Sequence, residues 1–229
     1  MSAASHTLAF KLPDSVMQKF GSSLPMLDKT IFEPTTLSTV RQAEIQQLLA
    51  PYIAQYPALN AQVKFRKADM ANAFSLPNGD IVFTDEFIDL ADKDNEIVAV
   101  FFHELGHLRH RHLTRRAIQG SMITVVIFLI TGDLDTADAV IGLPTLLADM
   151  AYSRDFEREA DAFAIQALQE HNIPIQSFAD IMAKLGASGD EKEDSFGDIK
   201  KISKAVEYLS SHPSTKERIE MVERLKSAQ

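Results

Sequence analysis

The chain opens without a hydrophobic period. Across residues 1–35 apolar and polar positions follow no repeat, and Pro13, Pro25 and Pro34 interrupt them, so the pattern predicts an irregular N-terminal arm. Order begins at Ser38. From there to Tyr56 the residues Val40, Ile45, Leu48, Leu49 and Tyr52 fall on one helical face. The period then drops to two. In AQVKFRK, Val63 and Phe65 alternate with Lys64 and Arg66, as in a half-buried strand. NAFSLPNGDIVFT sets Pro77-Asn78-Gly79-Asp80 between two short apolar runs, which predicts two strands joined by a turn. A long helix should start at Asp94, Asn95 and Glu96, where acidic and capping groups suit a helix N-terminus, and run to Arg116. Another should cover Met150 to His171 and end before Pro174. GASGDEKEDSFG, from Gly186 to Gly197, reads as a solvated acidic loop. A last pair of helices flanks SSHPSTKERIE, where Ser214 and Glu217 have capping-box spacing. This order predicts an α+β fold: a single, mostly helical domain over residues 36–229 with a small antiparallel sheet, preceded by the arm 1–35.

Two apolar segments complicate the picture. MITVVIFLI (122–130) is the longest apolar run, and it falls well short of the roughly 20 residues a membrane span needs. AVIGLPTLLADMAY (139–152) is broken by Gly142 and Pro144. Both read as buried core, with peripheral membrane or partner contact through 117–152 as the alternative. The first residues lack the basic stretch and apolar run of a targeting segment. Composition narrows the chemistry. The 229 residues are 45% hydrophobic, enough for a real core, and the net charge of −9 argues against a phosphate-binding face and so against nucleic acid as a partner. There is no cysteine, which removes disulfides, thiolate catalysis and thiolate ligation. Any metal must be held by His, Asp or Glu.

Four of the seven histidines lie in FFHELGHLRHRH, residues 101–112. His103 and His107 are four apart, so on a helix they share a face with Cβ atoms about 5–6 Å apart. Two imidazoles so placed can converge on one zinc ion at about 2.0–2.1 Å. Glu104 would stand beside that ion, able to take a proton from an attacking water, which is the logic of HExxH. The apolar IVAVFF before it predicts a buried helix, and buried His and Glu need partners. Gly106 leaves room for another backbone or a substrate. A hydrolytic zinc needs a third protein ligand. In SRDFEREADAF, Glu157 and Asp161 share a helix face. Glu157 reads as that ligand, and Asp161 as the acceptor for the far ring N–H of a ligating histidine. Glu159, about 200° round the helix from Glu157, should point away. His110 and His112 read as exposed and basic, and His6 and His171 have no supporting context. Asn72 and Phe74 either present an edge strand to an extended peptide or are plain sheet.

HELGH (103–107) followed by EREAD (157–161) resembles the gluzincin metallopeptidases of the CAAX-prenyl-endopeptidase and HtpX type. NAFSLPNGDIVFT looks like that family's strand pair ahead of the zinc helix, SRDFEREADAFA like its third-ligand helix, and SSHPSTKERI like its late His-Pro element with a following arginine. The resemblance implies a zincin-like domain with one zinc per chain held by His103, His107 and Glu157, and Glu104 as catalytic base. It also implies that His212 faces the site, either stabilising the oxyanion or capping the zinc in a latent form. The function it implies is a zinc-dependent endopeptidase acting on protein or peptide substrates, latent or engaged in membrane-associated protein quality control. It favours a periplasmic or membrane-associated location, with a cytoplasmic one open. The chain departs from the pattern at Asp85-Glu86, where family members often carry Gly-Leu. It also has two short apolar segments where many members have transmembrane helices. The alternative function is a zinc-containing binding or chaperone-like module with little hydrolysis.

Overall fold

A computed structural model describes residues 3–13, 15, 17–18, 28, 32–119, 152–190, 212 and 215–227. Its elements are α1 (Ala3–Lys11), β1 (Glu33–Pro34), α2 (Thr39–Ile53), a 3-10 turn at Pro57–Leu59, β2 (Gln62–Lys67), β3 (Ala73–Ser75), β4 (Asp80–Thr84), α3 (Asp85–Leu90), α4 (Asp94–Arg109), α5 (His112–Gln119), α6 (Arg154–Glu170), α7 (Gln176–Asp190) and α8 (Thr215–Ser227). The fold is α+β, mostly helical, with one small sheet.

The centre is α4, which has no solvent face from Glu96 to His107. A helix apolar nearly all round must be enclosed by other elements. Ile97 and Phe101 join Val63, Phe65, Ile81 and Phe83 of the sheet, and Phe178 and Met182 of α7, in one core. The buried carboxylate of Glu96 is satisfied at the positive end of the helix, where it accepts from the Asp92 N–H (2.9 Å) and from Lys184 Nζ (2.7 Å). Ser38 caps α2 by accepting from the Arg41 N–H at 3.1 Å.

The strand order is β1-β2-β4-β3. β3 and β4 pair antiparallel around the predicted turn, in which Gly79 has φ +101° and its N–H reaches the Leu76 carbonyl at 2.9 Å. A Cβ on Gly79 would stand 2.4 Å from the Asn60 carbonyl oxygen, so both the turn and the neighbouring chain require glycine. β2 pairs parallel with β4, with Val63 beside Ile81 and Phe65 beside Phe83. The sheet is therefore mixed rather than antiparallel. Two strands with suitable alternation can pair either way, and the direction was set by a crossover that the local pattern does not encode.

Three other expectations change. The stretch read as an irregular arm contains α1, which packs on α5 and buries Ala9 and Leu12. The helix expected to run from Asp94 to Arg116 breaks after Arg109, and Arg111 takes a left-handed φ of 51° before α5 resumes. Arg111 Nη1 donates to the Ala9 and Leu12 carbonyls at 2.9 and 3.3 Å, so α1 braces the break. The acidic stretch from Gly186 is helical as far as Asp190. The apolar run 122–130, most of 139–152, the rest of the acidic stretch, Ser214 and the helix expected before His212 lie outside the described residues. Among the described residues no helix is long and apolar enough to cross a membrane.

Candidate metal centre

α4 presents His103, Glu104 and His107, and α6 presents Glu157 and Asp161. Ser153 caps α6 by accepting from the Phe156 N–H at 3.3 Å, which sets Glu157 in the first turn. The two helices approach closely because position 106 is glycine. A Cβ there would stand 3.0 Å from Ala160 Cα and 3.1 Å from the Ala160 carbonyl oxygen. The backbone that Gly106 admits is that of α6.

Across this contact the predicted residues converge. His103 Nε2 lies 2.9 Å from His107 Nε2 and 3.5 Å from Glu157 Oε2, and His107 Nε2 lies 3.4 Å from Glu157 Oε1. His212 joins them, its Nδ1 3.2 Å from His103 Nε2 and 3.1 Å from Glu157 Oε1. All four side chains are buried. Atoms about 2.0–2.1 Å from one tetrahedral zinc ion lie roughly 3.3 Å from each other, so this spacing suits such an ion. The charges suit it too. Glu104, Glu157 and Asp161 are buried carboxylates facing one buried guanidinium, Arg218, which leaves an excess of buried acidic groups. A dication would neutralise it.

The shell behind these atoms is equally specific. Asp161 Oδ1 accepts from His103 Nδ1 at 2.9 Å and from Arg218 Nη2 at 2.7 Å. Arg218 Nη2 also lies 3.1 Å from His103 Nδ1, and the Asp161 carboxylate as acceptor there would keep the His103 proton on the ring nitrogen away from the cluster. Arg218 Nη1 also lies 3.3 Å from Glu157 Oε2. The Arg218 guanidinium stacks over Phe178. Burial raises the Glu157 carboxyl, but the neighbouring His212 and Arg218 outweigh it and hold it below its ordinary range. Burial lowers His212, yet Glu157 and Glu104 outweigh that and raise it. His107 is driven well below its ordinary value by burial, then by His103 and His112. Both carboxylate oxygens of Glu104 are buried without a hydrogen-bond partner among the described residues, and His212 Nε2 stands 3.5 Å from Oε1.

Some residues belong to the site that the local pattern did not select. His112, expected to be exposed, is fully buried, and its Nδ1 sits 2.8 Å from His107 Nδ1. The break at Arg111 turns it inward. His110 is only half-buried and stays outside the cluster. Glu159 does point away from Glu157's partners, but it meets His112 and Arg115. Tyr152 stacks on the His107 ring, centroids 4.0 Å apart, and no spacing rule marks it. Arg218 was visible only as the arginine after the late His-Pro pair. Of the expected peptide edge, β3 is the edge strand and packs on α4. Asn72 is buried and Phe74 stacks on Phe32. A cleft beside it is lined by Ser75, Leu76, His107 and Arg111, with Met17 at one wall.

The profile of peptidase family M48 matches residues 39–226. The chain is 29% identical over 153 residues to mitochondrial metalloendopeptidase OMA1 of Arabidopsis thaliana, covering 67% of this chain and 29% of that protein. It is 25% identical over 162 residues to the beta-barrel assembly-enhancing protease of Yersinia pestis, covering 66% and 31%. It is also 25% identical to a protease HtpX homolog of Helicobacter acinonychis, across 95% of this chain and 78% of that one. The chain thus spans less than a third of the length of the first two relatives. Matched by the family profile over most of its length, the chain belongs to peptidase family M48.

Proposed function

We propose that the protein is a zinc-dependent endopeptidase that hydrolyses peptide bonds of protein substrates. His103, His107 and Glu157 are its metal ligands and Glu104 is its base. The observation that carries this reading is the convergence of ligand atoms from His103, His107, Glu157 and His212 beside the buried carboxylate of Glu104, which has no hydrogen-bond partner among the described residues. A zinc ion held by His103, His107 and Glu157 would supply an acidified water and polarisation of the scissile carbonyl. Glu104 takes the proton from the attacking water and returns it to the leaving amine. Asp161 and Arg218 hold the His103 ring so that Nε2 offers its lone pair. An extended peptide added along the outer edge of β3 would run through the cleft at His107.

The latent form is favoured by a specific contact. A hydrolytic zinc keeps one position open, whereas four protein ligands close it. His212 Nδ1 stands among the other three ligand atoms, 3.1 Å from Glu157. With a zinc ion held by His103, His107 and Glu157, His212 would be placed to close the fourth position, and would have to move aside for a substrate carbonyl. Swung out, it becomes the candidate donor to the oxyanion. The biological setting we infer is membrane-associated protein quality control, since a relative is named for enhancing β-barrel assembly. The test is Glu104→Gln. It should retain one zinc per chain and lose at least about a hundredfold in turnover on an unfolded protein substrate. Loss of zinc with activity, or normal turnover, would remove Glu104 from the role.

A further inference from the structure

Among the described residues a second polar cluster is formed by His112, Glu159, Arg115 and His110. It resembles a second metal site only at first sight. Glu159 Oε2 already accepts from Arg115 Nη1 at 2.7 Å, so a cation occupies its charge, and His110 Nδ1 stands 3.9 Å away. His112 also directs one ring nitrogen elsewhere, at His107 Nδ1, 2.8 Å distant.

Those contacts fix the protons. On the proposed assignment His107 Nε2 offers its lone pair to the metal, so Nδ1 carries the hydrogen and donates it to His112 Nδ1. The proton of His112 is then on Nε2, which donates to Glu159 Oε2 at 3.0 Å. The chain ends on Arg115. Phe156 packs against both parts: the His112 ring stacks on it with centroids 4.5 Å apart at 12°, and the Arg115 guanidinium lies 4.4 Å from its centroid. The other histidine is supported in the same order, His103 to Asp161 to Arg218. Each imidazole is backed by a carboxylate and each carboxylate by an arginine. On the His107 side an extra imidazole spans the longer gap.

The geometry points to His112, backed by Glu159 and Arg115, as the positioning residue that fixes the tautomer and ring orientation of His107 toward the metal. This rests on the zinc reading above. Partners of this kind commonly set metal affinity by about 10- to 100-fold.

The test is zinc affinity of the full chain, by chelator competition, with the absorption spectrum of the cobalt-substituted protein. His112→Phe keeps the stack on Phe156 but removes the acceptor. His112→Asn puts an acceptor oxygen where Nδ1 was. Glu159→Leu cuts the relay at its partly exposed end. The expected result is zinc weakened at least about tenfold in His112→Phe, with an altered cobalt spectrum. Glu159→Leu should weaken it less, and His112→Asn should restore affinity to within about threefold with the wild-type spectrum. A packing role alone would not distinguish Asn from Phe in that direction. Wild-type affinity and spectrum in His112→Phe, or equal weakness in the folded Asn and Phe variants, would overturn the relay. If His112→Phe does not fold, unchanged affinity in Glu159→Leu overturns it. Failure of the wild type to bind zinc would instead overturn the zinc reading, and the relay with it.

Discussion

The contact between α4 and α6 is where packing and chemistry depend on one atom. Gly106→Ala tests it. Alanine at a helix interior position is favoured over glycine by about 1 kcal/mol from backbone propensity alone. Against that, the new methyl would stand 3.0 Å from Ala160 Cα, 3.1 Å from its carbonyl oxygen and 3.3 Å from Phe163 Cβ. Two of these three atoms are backbone, so no side chain can rotate away, and the helices must separate by a few tenths of an ångström. Overpacking of this kind costs about 1–3 kcal/mol, so the net expectation is a loss of up to about 2 kcal/mol. Glu157 lies one turn before Ala160 on α6 and moves with it, so zinc affinity should fall further than the stability change alone accounts for. Chemical denaturation and zinc titration of the two proteins measure both. A variant more stable than wild type by the propensity term, with unchanged zinc affinity, would refute the reasoning. So would rescue by Ala160→Gly, because the clash is with the Cα and carbonyl of residue 160 and not with its methyl.

His212→Ala should raise peptide turnover per bound zinc, since it removes the cap. A fall in turnover with zinc retained would mean that the oxyanion role outweighs the cap. Asp161→Asn should weaken zinc by about tenfold or more and leave the chain folded, as chelator competition and thermal melting will show. The metal-free protein should lose stability in acid. Burial holds His112 near about 3 instead of 6.5, and Arg115 and His112 hold Glu159 near about 2 instead of 4.5 despite the opposing effect of its burial. Both folded values lie below the unfolded ones, so the unfolded chain binds more protons. The associated stability is complete above about pH 6.5, and falls first through His112 and then, below about 4.5, through Glu159. His212, raised in the folded state, acts in the opposite sense, so the measurement is a difference. Wild type should lose more stability than His112→Asn in denaturant melts between pH 7 and 4, and equal losses would contradict the assignment.

Much of the site was legible because its geometry is local. A spacing of four on one helix puts His103 with His107, and Glu157 with Asp161, on common faces whatever the rest of the fold does. The same holds for Val63 and Phe65 in β2 and for the turn at Gly79. What could not be read depends on contacts between distant segments. On an unbroken helix His112 would lie about 140° round from His107 and face away. Arg111, a residue with no intrinsic liking for a left-handed φ, breaks the helix there because α1 carbonyls hold its guanidinium. The signal for the break therefore sits in a segment with no readable period. The parallel pairing of β2 with β4 and the stacking of Tyr152 on His107 likewise arise from tertiary approach. Arg218, far along the chain from Asp161, becomes a partner only when α8 folds back.

The most direct test of the account is the zinc content of protein purified without chelator or added metal, measured beside Glu157→Ala. The account predicts about one zinc per chain in the wild type and much less in the variant, because Glu157 is the one carboxylate among the converging ligand atoms and also holds His212, whose Nδ1 lies 3.1 Å from its Oε1. Equal zinc in both proteins would remove Glu157 from the ligands. An empty wild type that stays empty when zinc is added back would contradict the metal centre itself and leave the converging histidines as a structural knot.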